Sequence, residues 1–426
     1  MLKASTIARL QKLLGLWTAL ILLGSGASAL DGHVRTLSID SGYLTSANSN
    51  RAFSALGVEW VDAQSFLFDK LHFTDSALGN GLTLIAGSAA GFTLSVDGFM
   101  TPYHEFGHFS RAYAVGLDPQ FDPAASNFIG FLSKRFVNIF GDASVQFRHG
   151  DRRFIPPVDS RYVASGPFAF TPSSEQSLST DWGVVFHSAG VNNEMRFAGD
   201  LADRLLDGHG HVYEWVPYTA GLLSSNYYNL TNDTPNNSDL HSLSRIYGNK
   251  GLSISVPDME RANMISFVGS AATWAYMKGI WDFVGKGETR VNAFSVKGVY
   301  LPIVTNYLTS QGISFRAASA YRLNEKVLFP FAIEFIGMSG GSGQEYTLGY
   351  RQSDLLLPGL SPSVAATFGR GLNLNASLSY DATRFTRVSI GIEKYDVDSF
   401  HGERNITSVE KRQDAAQAWG RVSLLY

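Results

Sequence analysis

The spacing of apolar and polar positions along this chain changes period at about residue 291. Before that point the repeat is helical. Ala52 to Leu71 places apolar residues three and four apart. Asp181 to Asp207 does the same through Val191, Glu194, Met195, Ala198, Ala202 and Leu205, which predicts a helix with Glu194 at the edge of its core-facing stripe. A carboxylate there needs a partner, because an unpaired buried charge is costly. Leu82 to Val96 is apolar and rich in small residues; the stretch before Asp97 is short for a membrane span, so it reads as a buried helix beside the next one. His241 to Val284 reads as further helix, and Lys278 and Asp282 inside its apolar second half make it a buried helix in preference to a span. A short strand is expected at His33 to Ile39.

From Val291 onward the period is two. Leu372, Leu374, Ala376, Leu378 and Tyr380 alternate with Asn373, Asn375, Ser377 and Ser379. Ile313 to Tyr321, Phe329 to Gly337, Tyr346 to Tyr350, Val364 to Phe368, Val388 to Ile392 and Ala418 to Tyr426 repeat the pattern, and one more strand fits in Val291 to Leu308. Asn324, Gly340-Gly341 and Gly369 to Gly371 supply turns between them. One face of these strands is aliphatic and aromatic, the other Ser, Thr, Asn, Gly and Arg. A lipid-facing barrel with a polar lumen has this distribution, and so does a soluble sheet with one wet face. The expected fold class is therefore α+β: a mainly helical domain over 30–290, then an antiparallel β-domain over 291–426, read as an outer-membrane-type barrel of about eight strands. The charged segment Asp396 to Asp414 is expected as a rim loop.

Between Gly116 and Asp181 helical periodicity fades, which marks 117–180 as an insertion in the helical domain. Ser144 to Phe154 fits a hairpin, and its Arg148, Arg152 and Arg153 read as a solvated tip in preference to an anion site.

Composition narrows the chemistry. The 426 residues carry a net charge of −3 with no long charged block, which gives no sign of a nucleic-acid partner. No cysteine occurs, so disulfides and thiolate metal sites are excluded and His and carboxylates are left as ligands. Residues 1–29 have the layout of a signal peptide: basic Lys3, Arg9 and Lys12, an apolar Leu13 to Gly24, and Ala27-Ser28-Ala29 as a cleavage site. In an exported chain, 13% aromatics with 42 glycines favour a bacterial outer-membrane β-domain in contact with membrane lipid.

The pentapeptide His104-Glu105-Phe106-Gly107-His108 is the clearest chemical signal. On a helix, His at i and i+4 share a face and can hold one Zn²⁺, with the intervening Glu as general base toward a water. Thr101 as cap, Pro102 in the first turn, and Gly116 and Pro119 as stops predict such a helix.

In these residues the chain resembles the zincin metallopeptidases, in particular the branch with H-E-x-G-H and a glutamate on a later helix. The resemblance covers His104 to His108 well and Asn193-Glu194 weakly. It implies a zinc peptidase with His104, His108 and Glu194 as ligands, Glu105 as catalytic base, and a polypeptide as substrate. Asp200 is the nearest match to that branch's acidic residue a turn after the glutamate, but lies two residues too far along. Leu206-Asp207-Gly208 resembles the ligand triplet of the site-2 protease family, which keeps Asp207 open as a third ligand. His187, His209 and His211 stay open as well, and Arg111, Tyr113, His187 and Tyr213 are open as oxyanion donors. The terminal alternating strand ending in Tyr426 resembles the assembly signal of outer-membrane barrels. The other class these features allow is a non-enzymatic outer-membrane channel, adhesin or assembly protein with an incidental or structural metal site.

Overall fold

The computed structural model describes residues 35–41, 50–72, 76–114, 120–121, 168–169, 180–231, 238–338, 341–396, 398–405 and 415–426. The signal-like 1–29 and the Ser144 to Phe154 hairpin with its arginines lie outside the described residues.

The fold is α+β. Its strands are β1 (Thr36–Asp40), the short β2 (Gln120–Phe121), β3 (Phe168–Ala169), β4 (Gly210–His211), β5 (Arg290–Val291), β6 (Ser295–Val296) and β7 (Val299–Tyr300), then β8 (Ile303–Thr309), β9 (Gly312–Asn324), β10 (Val327–Met338), β11 (Gln344–Gln352), β12 (Leu360–Phe368), β13 (Asn373–Thr383), β14 (Thr386–Tyr395) and β15 (Ala415–Leu425). Its helices are α1 (Asn50–Leu71), α2 (Ala77–Gly91), α3 (Thr101–Ala114), α4 (Thr180–His187), α5 (Ala189–Asp207), α6 (Trp215–Thr231), α7 (Asp239–Asn249), α8 (Val256–Gly269), α9 (Ala271–Lys286) and α10 (Phe400–Asn405). A wide π-helical stretch, Phe92–Met100, joins α2 to α3, so the chain is helical without a break from Ala77 to Ala114. The helix start expected at Thr101-Pro102 is therefore an interior position.

The eight strands expected between residues 291 and 426 are all present as β8 to β15, paired antiparallel with their sequence neighbours. They belong to an 11-stranded sheet of order β1-β15-β14-β13-β12-β11-β10-β9-β7-β6, with β8 also on β9. Among the described residues this sheet is not closed into a barrel, which corrects the expectation of strand-to-strand closure. The reason lies at its edges. β1 pairs with β15 on one side, and on the other its Ser38 N–H donates to Glu59 Oε2 of α1 at 3.0 Å and its Thr36 N–H to Asp62 Oδ2 at 3.4 Å. At the opposite edge the Asn192 amide of α5 meets β8 as another strand would. Its Nδ2 donates to Leu308 O and its Oδ1 accepts from Leu308 N–H, both at 2.9 Å. Helix side chains thus take the hydrogen bonds that a closing strand would have taken.

The faces of the sheet are inverted relative to a soluble protein. Leu374, Leu378 and Tyr380 are exposed, as are Phe331, Ile333, Ile390 and Ile392, while Glu334, Glu345, Thr367, Asn373, Ser389 and Glu393 are buried. The inner face packs on α1, α5 and α10 through ion pairs: Arg51 of α1 with Glu393 at 3.3 Å, Arg351 with Asp207 of α5 at 3.1 Å, and Arg404 of α10 with Glu334. Helix α10 corrects the rim-loop reading of its segment. Phe400 is fully buried, and Glu345 of β11 accepts from the Phe400 and His401 N–H groups at 2.6 and 3.1 Å.

Helix α2, expected to be buried, is largely exposed, and α9, also expected to be buried, packs one face into the core through Tyr276 and Phe283 and exposes the other. On α2, Leu78 is 76% and Ile85 68% accessible; on α9, Trp281 is 79%. Lys278 and Lys286 on α9 both pair with Asp282, one turn away on either side. The helical core lies instead between α1, the π-helical stretch, α3 and α5, where Phe53 stacks on Phe106 at 4.6 Å and on Tyr103 at 5.4 Å between ring centroids.

Candidate metal centre

Helix α3 approaches α5 closely because two glycines leave room. A Cβ on Gly107 would stand 2.4 Å from Ala189 O, and one on Gly190 would stand 2.3 Å from His104 Nε2. Such contacts would force backbones or rings apart. Asn193 Nδ2 ties the pair together by donating to Tyr103 O at 2.8 Å.

This close packing brings three donor atoms to one point. His104 Nε2 and His108 Nε2 are 3.2 Å apart, and Asp239 Oδ2 lies 3.0 Å from the first and 3.1 Å from the second. Asp239 is the first residue of α7, whose N-cap Ser238 accepts from His241 N–H. The three side chains could hold a metal ion. A tetrahedral zinc with bonds of about 2.0–2.1 Å sets its donors roughly 3.3 Å apart, close to the separations here.

The far nitrogens decide what the near ones offer. His108 Nδ1 faces Phe186 O at 2.9 Å, and His104 Nδ1 faces Glu194 Oε1 at 3.1 Å. Both partners are acceptors, so each Nδ1 carries the proton and each neutral ring presents a lone pair from Nε2. Two lone pairs and a carboxylate oxygen converging at about 3 Å call for a cation between them. Without a metal, a proton on His104 supplies that positive charge. Burial disfavours charge on His104, yet Glu194 and Asp239 outweigh it and hold its pKa well above the usual histidine value. Burial likewise opposes charge on Asp239, but His108 and His104 hold its pKa well below the usual carboxylate range.

Glu194, expected as the third ligand, is placed beside the first ligands instead. It touches the outer nitrogen of His104 and accepts from Ser224 Oγ on α6. Asp239 occupies the third position. No motif marks it; the available signal is a Ser-Asp pair opening the periodic α7, and its register with a helix more than a hundred residues earlier arises only on folding. Glu105 lies in α3 between the two His, and its side chain is outside the described ones.

The other residues left open are elsewhere. Asp207 pairs with Arg351 at 3.1 Å, and Asp200 pairs with Arg196 at 3.8 Å and accepts from Ser54 Oγ. His211 caps the turn at Val212–Glu214 and contacts Asp69 at 2.9 Å. His209 follows α5 at its C-terminal turn, where its N–H donates to Arg204 O. Arg111 reaches Ser110 Oγ and Arg404 O, and Tyr213 donates to Gln64 Oε1 at 2.7 Å. His187 is the exception: at the end of α4 it stands within electrostatic reach of Asp239 and His108, and burial lowers its pKa to about 4, so it stands neutral. Tyr113 lies on α3, its side chain outside the described ones. The 117–180 insertion leaves and returns at one place, because Gln120–Phe121 pairs with Phe168–Ala169.

Comparisons with family models, with curated proteins and with solved structures find no match for this chain.

Proposed function

We propose that the protein is a zinc-dependent hydrolase, acting on polypeptides, that is exported and sits in the bacterial outer membrane. The observation that carries the hydrolase reading is the convergence of His104 Nε2, His108 Nε2 and Asp239 Oδ2, each imidazole turned by an acceptor behind it, with a glutamate between the two His in sequence. Zinc bound there supplies a Lewis acid and brings a water's pKa toward neutrality. Two imidazoles and one carboxylate are the donor set of a catalytic zinc site, in which a water would complete the coordination, and not that of a closed structural one. Glu105 is the proposed base, taking the water proton and returning it to the leaving amine. Glu194, with Ser224 behind it, keeps His104 in the tautomer that offers Nε2.

Location rests on the inverted sheet. Apolar side chains outward and buried carboxylates, amides and hydroxyls inward are the distribution of a lipid-facing wall. The strands β9 to β15 run 9 to 13 residues, and about 9–11 are needed to cross a membrane.

The experiment is zinc content and peptide hydrolysis of detergent-extracted protein beside its Glu105→Gln variant. The reading expects one bound zinc in both and hydrolysis only in the parent. A parent that binds zinc and cleaves no peptide or amide would instead support a non-enzymatic membrane protein with a structural metal.

A further inference from the structure

We infer that the wall facing the lipid is part helix and part sheet: α8, α9, α2 and α1 close the gap between β8 and β1, and their outward apolar faces contact acyl chains. This rests on the membrane reading above and extends it to a surface that reading does not assign.

The packing order forms a ring. Helix α8 packs on β8 and on α9, α9 on α2, α2 on α1, and α1 on β1, which pairs with β15 and leads back through the sheet to β9 and β8. Each seam between helix and strand is bonded. Glu59 and Asp62 accept from β1 N–H groups, and Ser270 Oγ accepts from Val304 N–H of β8 at 3.2 Å, beside the Asn192 pair with Leu308. A wall in hydrocarbon needs this, since an open strand edge there leaves backbone groups without partners, whereas a helix satisfies its own.

The outward side of the helices matches that of the strands in its apolar residues, and Lys278, the charge inside the outward face of α9, is neutralised by its ion pair with Asp282. Leu82 and Ile85 on α2, Ile265 and Val268 on α8, and Met277 and Trp281 on α9 are all exposed. The apolar run Ala77–Val96 is 20 residues long with few of its residues buried, and a helix of about 20 residues spans a hydrocarbon core. A core helix of a soluble protein would bury such a run. A second copy of the chain could cover only one sector of a ring that is apolar on its sheet side and its helix side alike. Lipid covers all of it, and is the occupant to which this surface is assigned.

The test uses the absence of native cysteine, which allows single labels. Ile85→Cys on α2, Trp281→Cys on α9, Ile392→Cys on β14 and Lys326→Cys in the β9–β10 turn would each carry an environment-sensitive fluorophore. The labelled proteins are reconstituted in phosphatidylethanolamine–phosphatidylglycerol vesicles with or without bromine on the acyl chains. The expected result is loss of emission in brominated vesicles at Ile85, Trp281 and Ile392 alike, with Lys326 unaffected. Quenching at Ile392 but at neither helix position would overturn the helical wall and leave the membrane reading standing; cross-linking of the helix positions between copies would then identify a second chain as occupant. No quenching at any position would overturn both.

Discussion

Glu194 Oε1 stands 3.1 Å from His104 Nδ1, on the side of the ring away from Asp239. On the proposed metal reading the carboxylate orients a ligand, and Asp239 is the third donor of the group that could hold an ion. Asp239→Ala should remove tight zinc binding, while Glu194→Ala should weaken it about 10–100-fold through loss of ring orientation. Asp207→Ala should leave zinc content unchanged. Metal analysis of the purified variants, with competition by a chromogenic chelator, measures all three. Full zinc in Asp239→Ala would remove the assignment.

Gly190→Ala is expected to act on the metal without touching a ligand. Its Cβ would meet His104 Nε2 at 2.3 Å, so the imidazole must turn out of the common donor point. Zinc affinity should fall more steeply than thermal stability. Equal, small losses in both would mean that α5 yields and the ring does not.

Chelation should destabilise the folded protein as well as silence it. Without the cation, the Asp239 carboxylate and the two Nε2 atoms, 3.0–3.2 Å apart, are held together only by the proton on His104, a weaker tie than a bound metal. A ligand held only by the folded state adds about 2.7 kcal/mol at a hundredfold excess over its Kd. Unfolding followed by tryptophan emission, with and without 1,10-phenanthroline, should show a lower midpoint in the chelated sample for the parent and no difference for His108→Ala.

Asn192→Ala should loosen one edge of the sheet. Its amide makes both bonds to Leu308, and leaving that N–H and C=O without them costs about 1–3 kcal/mol each when buried. Hydrogen exchange is expected to rise along β8 and to stay unchanged in β12 and β13. Uniform change across the sheet would show that Asn192 does not act as an edge cap.

Elements with a strong period were legible in the chain. Helix α1 and strands β8 to β15 stand where the spacing of apolar residues places them, because each element buries or exposes one face and the period records it. The His104–His108 pair was legible for the same reason, as a local helical spacing. What periodicity cannot carry is direction. Apolar residues look alike in sequence whichever way they face; in the structure those of α2 face mostly outward, and those of α9 divide between the core (Tyr276, Phe283) and the outside (Trp274, Trp281). Asp239 was hidden for a different reason. Its meeting with His104 is set by the packing of α3, α4, α5 and α7, and nothing in its neighbourhood records that. Glu194 was found near the site but one contact too close, since a stripe position fixes a helix face and not which ring nitrogen it reaches.

The pairing of β1 with β15 bears on the order in which this protein can fold. Thr36 is in register with Leu425 and Asp40 with Arg421, so one flank of the sheet joins residues from opposite ends of the chain. Contacts of such sequence separation form late and slowly, because loop closure is paid before they contribute. Glu59 and Asp62 are in place beside β1 early in synthesis, but the strand they dock gains its ladder only when β15 has emerged. The flank of the sheet at β1 is therefore completed only once β15 is available to pair with it.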